Sequence, residues 1–480
     1  MANLIRNFIF AGLLLLNLSC EKDKISLDKD LFIEEPEQLS ELHAEALAVG
    51  RQFIEVQWNN IYSTHFKTVT YSIYLDGKKI GERLNTNKYS FINLRPGHEY
   101  TIKVEASTEQ GKHAEQELKL STLSETGSEA GSSLYKEYKI HSYSDITGPT
   151  AVKQLEDGGH LIVRYLEHQS TFGSPDVKKI IVLRVDKEGN LQWYRLLATL
   201  GRGLSDMPAI FLELHNDGRE GIALTGSYAF KISVADGELV LEKDFQEPAV
   251  RLTQSMFYSS EQQLLIGTGK GGLISVNPDD LSVQWQQEDT SRPGQFTAIN
   301  TDSRGNIYSV FIDARDDSHV HVLKYTGEGQ YLADFSFEVS SFFVSSILVD
   351  EQDNFYMFPY LSTWNSIYYI KFKGDGTSVK NEKINGSFSS PKAFWNNKNE
   401  IVVYGRYDGN GLTTYGGIYV FDTDMNVKSR HFYDSIPFHL LGAVTQDRNG
   451  SYNLFLHYMQ TYSYDNRNFV YIKTNPDGEI

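Results

Sequence analysis

Few of the chain's reactive side chains stand at spacings that chemistry uses. Asp313-Ala-Arg-Asp-Asp-Ser318 and Asp422-Thr-Asp-Met-Asn426 offer oxygens at a calcium-like interval. Neither continues into a loop closed by a bidentate Glu, so solvated turns account for both. His168, His319 and His439 lack a second metal ligand at helical or hairpin spacing. No Gly-x-Ser-x-Gly elbow, His-Glu-x-x-His pair or phosphate-cradling glycine loop occurs. The reading therefore assigns no catalytic residue, no metal and no cofactor.

Aromatic and polar side chains are more suggestive. Five segments, Glu167–Asp176, Asp313–His319, Tyr360–Ser366, Tyr407–Gly417 and Tyr458–Asn468, concentrate Tyr, Trp, Asn and Asp. Trp364, Tyr407, Tyr415 and Tyr462 are the candidate ligand-binding rings, with Arg202, Arg292 and Arg467 in or near such segments. Amphipathic rings suit sugars, whose C–H faces stack while their hydroxyls bond to amides and carboxylates. In a chain with 29 Tyr the competing account is that these rings simply pack. The net charge of −17 argues against nucleic acid, which needs clustered Lys and Arg.

The most specific reactive group is Cys20, the single cysteine of 480 residues, which cannot form an intramolecular disulfide. Arg6 and the apolar run Phe8–Leu16 precede it. That run is too short to span about 30 Å of hydrocarbon but suits a secretory signal. Leu16-Asn17-Leu18-Ser19-Cys20 then resembles a lipobox. The resemblance implies cleavage before Cys20 and acylation of its sulfur and new amino terminus, so that the membrane is a partner through the lipid. Residues 1–19 are read as signal peptide and 20–41 as a charged tether. The expected location is the bacterial outer membrane, with the cell surface as one option.

The elements that must position any binding residues are strands. Ile54, Val56 and Trp58 alternate onto one face, Val69–Leu75 alternates again, and Asp76-Gly77 marks a hairpin. With Trp58 and Leu94-x-Pro96-Gly97-x-x-Tyr100, residues 42–123 resemble a fibronectin type III domain, implying a buried tryptophan and a tyrosine corner. Residues 124–134 are small and polar, a flexible linker.

Beyond the linker, two kinds of polar turn alternate. One series falls at Asp157-Gly158, Asp217-Gly218, Glu261-Gln262, Arg304-Gly305, Gln352-Asp353, Lys398-Asn399 and Asn449-Gly450. The other falls at 187–190, 235–237, 277–279, 327–329, 374–376, 422–424 and 475–478. Seven pairs at a period of roughly 40–50 residues predict seven four-stranded blades. Duplicates such as Leu191-Gln192-Trp193 and Val283-Gln284-Trp285 support repetition, and the pattern resembles quinoprotein-like and NHL-like propellers. The last turn leaves no room for a fourth strand, so Tyr135–Ile140 is expected to complete the last blade.

The fold expected is all-β: a fibronectin type III-like sandwich, then a seven-bladed β-propeller over 135–480 closed by an N-terminal strand. Sialidase-type Ser-x-Asp-x-Gly-x-x-Trp boxes and the cysteine pair of quinone-dependent propellers are both missing. The reading favours a non-catalytic lipoprotein whose propeller binds a glycan or an envelope protein. Two alternatives stay open: a propeller carbohydrate-active enzyme, lyase or hydrolase, and an envelope-assembly scaffold resembling propeller lipoproteins that assist outer-membrane protein insertion.

Overall fold

The computed structural model describes residues 38–64, 68–123, 135–138, 145–168, 177–200, 209–245, 253–259, 262–268, 272–288, 294–313, 316, 318–339, 343–361, 364–385, 388–408, 414–433, 439–458 and 469–480. Cys20, the signal segment and residues 124–134 lie outside them. Among the described residues no helix is long and apolar enough to cross a membrane.

The first module contains β1 (Ala44–Gly50), β2 (Ile54–Trp58), β3 (Val69–Leu75), β4 (Lys78–Leu84), β5 (Lys88–Phe91), β6 (Glu99–Thr108) and β7 (His113–Ser121). Sheet β5-β2-β1 faces sheet β4-β3-β6-β7 across Ile54, Val56, Trp58, Tyr71, Ile73, Ile102 and Val104. Period-two alternation drives this: in β6, buried Tyr100, Ile102, Val104 and Ala106 interleave with polar positions. Asp76 and Gly77 both take positive φ, 48° and 78°, as the tight β3–β4 hairpin requires. Trp58 packs on Tyr71 at 5.3 Å between ring centroids. The Arg95 amide donates to the Tyr100 hydroxyl at 2.7 Å, the back-bond expected of that tyrosine.

The rest of the chain is a series of four-stranded antiparallel sheets that resemble propeller blades. β8 (Tyr135–Tyr138) comes first in the chain. Sheet I is β9 (Asp145–Gln154), β10 (His160–His168), β11 (Val177–Val185) and β12 (Leu191–Leu200). Sheet II is β13 (Ile210–His215), β14 (Glu220–Thr225), β15 (Tyr228–Ser233) and β16 (Leu239–Asp244). Sheet III is β17 (Thr253–Tyr258), β18 (Leu264–Thr268), β19 (Gly272–Val276) and β20 (Val283–Glu288). Sheet IV is β21 (Gly294–Thr301), β22 (Ile307–Asp313), β23 (His319–Tyr325) and β24 (Tyr331–Glu338). Sheet V is β25 (Phe343–Val349), β26 (Asn354–Leu361), β27 (Trp364–Lys373) and β28 (Ser378–Asn385). Sheet VI is β29 (Phe388–Trp395), β30 (Ile401–Asp408), β31 (Thr414–Phe421) and β32 (Val427–Phe432). Sheet VII takes β33 (His439–Gln446), β34 (Tyr452–Tyr458) and β35 (Phe469–Lys473), with β8 as its fourth strand.

β8 pairs with β35 in the register Tyr138↔Phe469, Glu137↔Val470, Lys136↔Tyr471. Residues 139 and 140 lie outside the described set. First strands of neighbouring sheets touch (β9 with β13, β17 with β21, β21 with β25, β25 with β29), and β33 lies against β9. Second and third strands such as β18 and β19 are buried throughout, whereas fourth strands such as β24 are largely exposed.

The two turn series occupy the first-to-second and third-to-fourth hairpins of these sheets, except that the turn at 475–478 follows β35, whose fourth-strand neighbour β8 comes from elsewhere in the chain. Among the described residues, six of the fourteen, at Asp186, Asp302, Asp350, Asn396, Asp422 and Asn475, share one chemistry. An Asp or Asn carboxyl or amide oxygen accepts the amides two and four residues on: Asp302 from Arg304 at 3.0 Å and Asn306 at 2.8 Å, Asp350 from Gln352 and Asn354, Asn396 from Lys398 and Glu400. The fourth position takes positive φ, a Gly at 305 and Asp353 or Asn399 elsewhere. Asp422 belongs to this set, with its oxygens accepting from Asp424 N, Asn426 N and Asn426 Nδ2. Its carboxylate serves the turn.

Neighbouring sheets are clasped at these turns. A basic side chain near the end of a third strand donates to a carbonyl in the next sheet's third-to-fourth turn. Arg184 reaches Val234 O at 3.1 Å, Lys231 reaches Asp279 O at 3.1 Å, Lys324 reaches Gly374 O at 3.0 Å and Lys371 reaches Thr423 O at 2.6 Å. Lys473 of sheet VII reaches Lys187 O of sheet I at 3.5 Å. Rings from fourth strands press on the same turns: a methyl group on Gly237 would lie 2.7 Å from the Trp193 ring, and one on Gly329 2.7 Å from Trp285. The duplicated Leu-Gln-Trp and Val-Gln-Trp segments thus place one ring at one kind of junction.

The first module joins sheet I directly. β1 pairs with β12 (Ala48↔Arg195, Val49↔Tyr194, Gly50↔Trp193), making one seven-stranded sheet β5-β2-β1-β12-β11-β10-β9. Arg195 Nη2 meets Glu55 Oε2 at 2.9 Å and Lys179 Nζ meets Glu45 Oε2 at 2.5 Å across the junction.

Candidate functional site

Strand order alone separates two ends. In each sheet the first-to-second and third-to-fourth turns fall at one end. The second-to-third loop and the exit to the next sheet fall at the other. Because each exit leads directly into the next first strand, the second kind of end continues from sheet to sheet. The end with the Asp and Asn turns is fixed by the clasps. The opposite end carries the longer connections, the place where strand-built folds put binding residues.

Of the seven candidate residues, Trp364, Tyr407 and Tyr415 have described backbones, and these lie at this second end. Trp364 opens β27 opposite Leu361, and Tyr407 near the end of β30 pairs with Tyr415 in β31. Their side chains are not described. Tyr462 and Arg467 lie between β34 and β35, Arg202 between β12 and β13, and Arg292 between β20 and β21, all outside the described residues. The register thus makes Tyr407 and Tyr415 cross-strand neighbours, while Trp364 belongs to the preceding sheet.

Sheet IV gathers two histidines and two aspartates at this end. His319 and His321 share one face of β23, two residues apart. His319 Nδ1 stands 2.9 Å from Asp316 Oδ2 and 2.9 Å from Ser318 Oγ, and the Ser318 hydroxyl donates to Asp316 at 2.6 Å. His321 Nδ1 lies 3.1 Å from Asp334 Oδ1 on β24. Hydrogen bonds from Ser318 and the His319 ring hold the Asp316 carboxyl down at about 2. A Ser-His-Asp relay needs serine and carboxylate on opposite ring nitrogens. Here both engage Nδ1, so His319 is anchored and does not activate Ser318. The His-x-His spacing on a strand was the signal that sequence reasoning passed over. Among the described residues no three His, Cys, Asp or Glu side chains are placed to hold a metal ion.

Other titratable groups in the interior serve packing. Arg164 is fully buried, its guanidinium 4.6 Å from the Phe469 ring centroid, and burial lowers it to about 9. Lys392 donates to Gly442 O at 3.3 Å across sheets VI and VII, and burial likewise lowers its pKa. His160 sits at 2.9 Å from Thr445 Oγ1 between sheets I and VII, where desolvation lowers it to about 4.

No family model matches the chain, and no curated protein matches it. Among solved structures, the crystal structure of BamB from Moraxella catarrhalis is similar over 71% of this chain and 98% of that one, at 13% identity and a TM-score of 0.37. A likeness that loose carries no statement about partner or activity.

Proposed function

We propose that the chain is an envelope lipoprotein, anchored to the outer membrane through Cys20, and a non-catalytic scaffold for a protein partner. In this reading residues 42–123 are a fibronectin type III-like sandwich, and the seven sheets close into a seven-bladed propeller through β8. The supporting observation is the β1–β12 pairing: the outer edge of sheet I already takes a strand from a separate module. Fourth strands of the other sheets present the same kind of edge, the site of β-strand addition by a partner. The clasps tie neighbouring sheets to one another at the turn end, which suits a scaffold.

The test is photo-crosslinking in living cells, with a photoreactive residue at Tyr331 on the β24 edge, at Tyr415 on the loop end, and at Lys187 on the clasped end as control. Discrete envelope-protein adducts from Tyr331 or Tyr415, and none from Lys187, are expected. Equal labelling from all three, or none, would sink the scaffold reading. Glycan binding by the loop end is the second reading, favoured by the cross-strand neighbours Tyr407 and Tyr415. A glycan array with product analysis tests it, and turnover of any glycan would replace both readings with the carbohydrate-active enzyme.

A further inference from the structure

The first module carries a groove that the propeller reading does not use. It measures about 550 Å³, within the usual span of ligand sites, and lies on the face of sheet β4-β3-β6-β7 turned away from the sandwich core. Its floor follows from strand alternation. Tyr71 and Ile73 of β3 point into the core, so Thr70 and Ser72 point out; Val104 and Ala106 of β6 point in, so Glu105 and Ser107 point out. Register sets Thr70 opposite Ser107 and Ser72 opposite Glu105. β4 adds Lys79, Glu82 and Arg83 as a wall.

Ser72 is only 6% exposed although it lies on this outer face. Among the described residues, no protein group hydrogen-bonds to the hydroxyls of Thr70, Ser72 or Ser107. Thr108, which also lines the groove, holds a buried Oγ1 with no hydrogen-bond partner, which is unusual because sheltered polar groups normally find one. The floor thus holds sheltered donors and acceptors that a ligand could satisfy.

We infer that this groove binds a short, neutral saccharide. Hydroxyls and carboxylates together match an array of ligand hydroxyls, each both donor and acceptor. Three carboxylates, Glu82, Glu105 and Glu109, against Lys79 and Arg83 disfavour phosphates and acidic sugars. A peptide fits poorly, since the backbones of β3 and β6 are already paired with each other and offer nothing on the floor. This site is independent of the propeller, and either assignment can fail alone.

The experiment titrates full-length protein in detergent with maltotriose, cellotriose and chitotriose, with trigalacturonate as the acidic comparison, followed by calorimetry. The variants are Thr70→Val/Ser72→Ala/Ser107→Ala, which removes three hydroxyls that no protein group uses, and Ser107→Trp, which fills the floor. At least one neutral trisaccharide should bind. The triple variant should weaken it about tenfold or more with an unchanged unfolding midpoint, and Ser107→Trp should abolish it. The assignment is overturned if no neutral trisaccharide binds, if both variants bind as wild type does, or if only trigalacturonate binds.

Discussion

Arg195 Nη2 lies 2.9 Å from Glu55 Oε2, and this pair, both side chains less than a tenth exposed, bridges the first module and sheet I. Each charge is shielded from water, so each depends on the other. Glu55→Leu should destabilise the protein by about 3–5 kcal/mol, the cost of stranding a buried charge. Arg195→Met should cost less, because Lys88 Nζ stands 3.9 Å from Glu55 Oε1. The double variant should be milder than the sum of the two. A double-mutant cycle on urea midpoints gives the coupling, and additive effects would show that the pair does not join the two parts.

His160 predicts an acid-side loss of stability. Its ring is fully buried against Phe455 and Tyr471, and burial lowers its pKa from 6.5 to about 4. Between those values the unfolded chain takes up a proton that the folded one refuses, so stability rises with pH across that window. It is complete above about 6.5 and falls by up to roughly 3 kcal/mol as pH drops to about 4. Urea denaturation at several pH values should show this slope, and His160→Gln should flatten it. An unchanged slope in the variant would assign the acid loss to other groups.

The junction between sheets III and IV should be intolerant at a single atom. Gly329 has φ of 84° and lies under the Trp285 ring. Gly329→Ala should cost about 1–3 kcal/mol from backbone strain alone, with displacement of the ring added. Tryptophan fluorescence should shift to the red as Trp285 loses cover. One junction on, Lys324→Met should cost about 1–2 kcal/mol, because Lys324 and the Tyr308 hydroxyl both donate to Gly374 O. Faster hydrogen exchange confined to the turn at 373–377 would mark the broken clasp.

The anchor is tested by Cys20→Ala. With no other cysteine in the chain, the substitution should abolish incorporation of labelled palmitate and move the protein from the membrane to the soluble fraction. Retained membrane association would mean that another segment or a partner holds it there.

Much of this architecture was legible because turns are local. Asp302 with Asn306, or Asp350 with Asn354, fixes a hairpin within five residues, so the alternating turn series marks the strands by itself. Tyr100 was legible for a similar reason, since its hydroxyl accepts from the Arg95 amide five residues upstream. The clasps were not, because Lys371 and Thr423 meet only once two sheets are placed side by side. Nor was the β1–β12 junction, because an edge strand carries no mark of its partner. His319 was readable alone, but its link through Asp316 and Ser318 depends on how one loop folds back. The outer groove stayed hidden because Thr70, Ser72 and Ser107 look like ordinary polar positions on solvated strands.

The pairing of β8 with β35 has a consequence for synthesis. A chain synthesised from its amino end delivers Tyr135–Tyr138 more than 300 residues before Phe469–Lys473. Until then β8 has no mate, and sheet I lacks its neighbour on the β33 side. Contacts so distant along the chain form slowly. During that interval the half-made molecule presents open strand edges to every other chain around it, so a chaperone that shields them would act before β35 arrives.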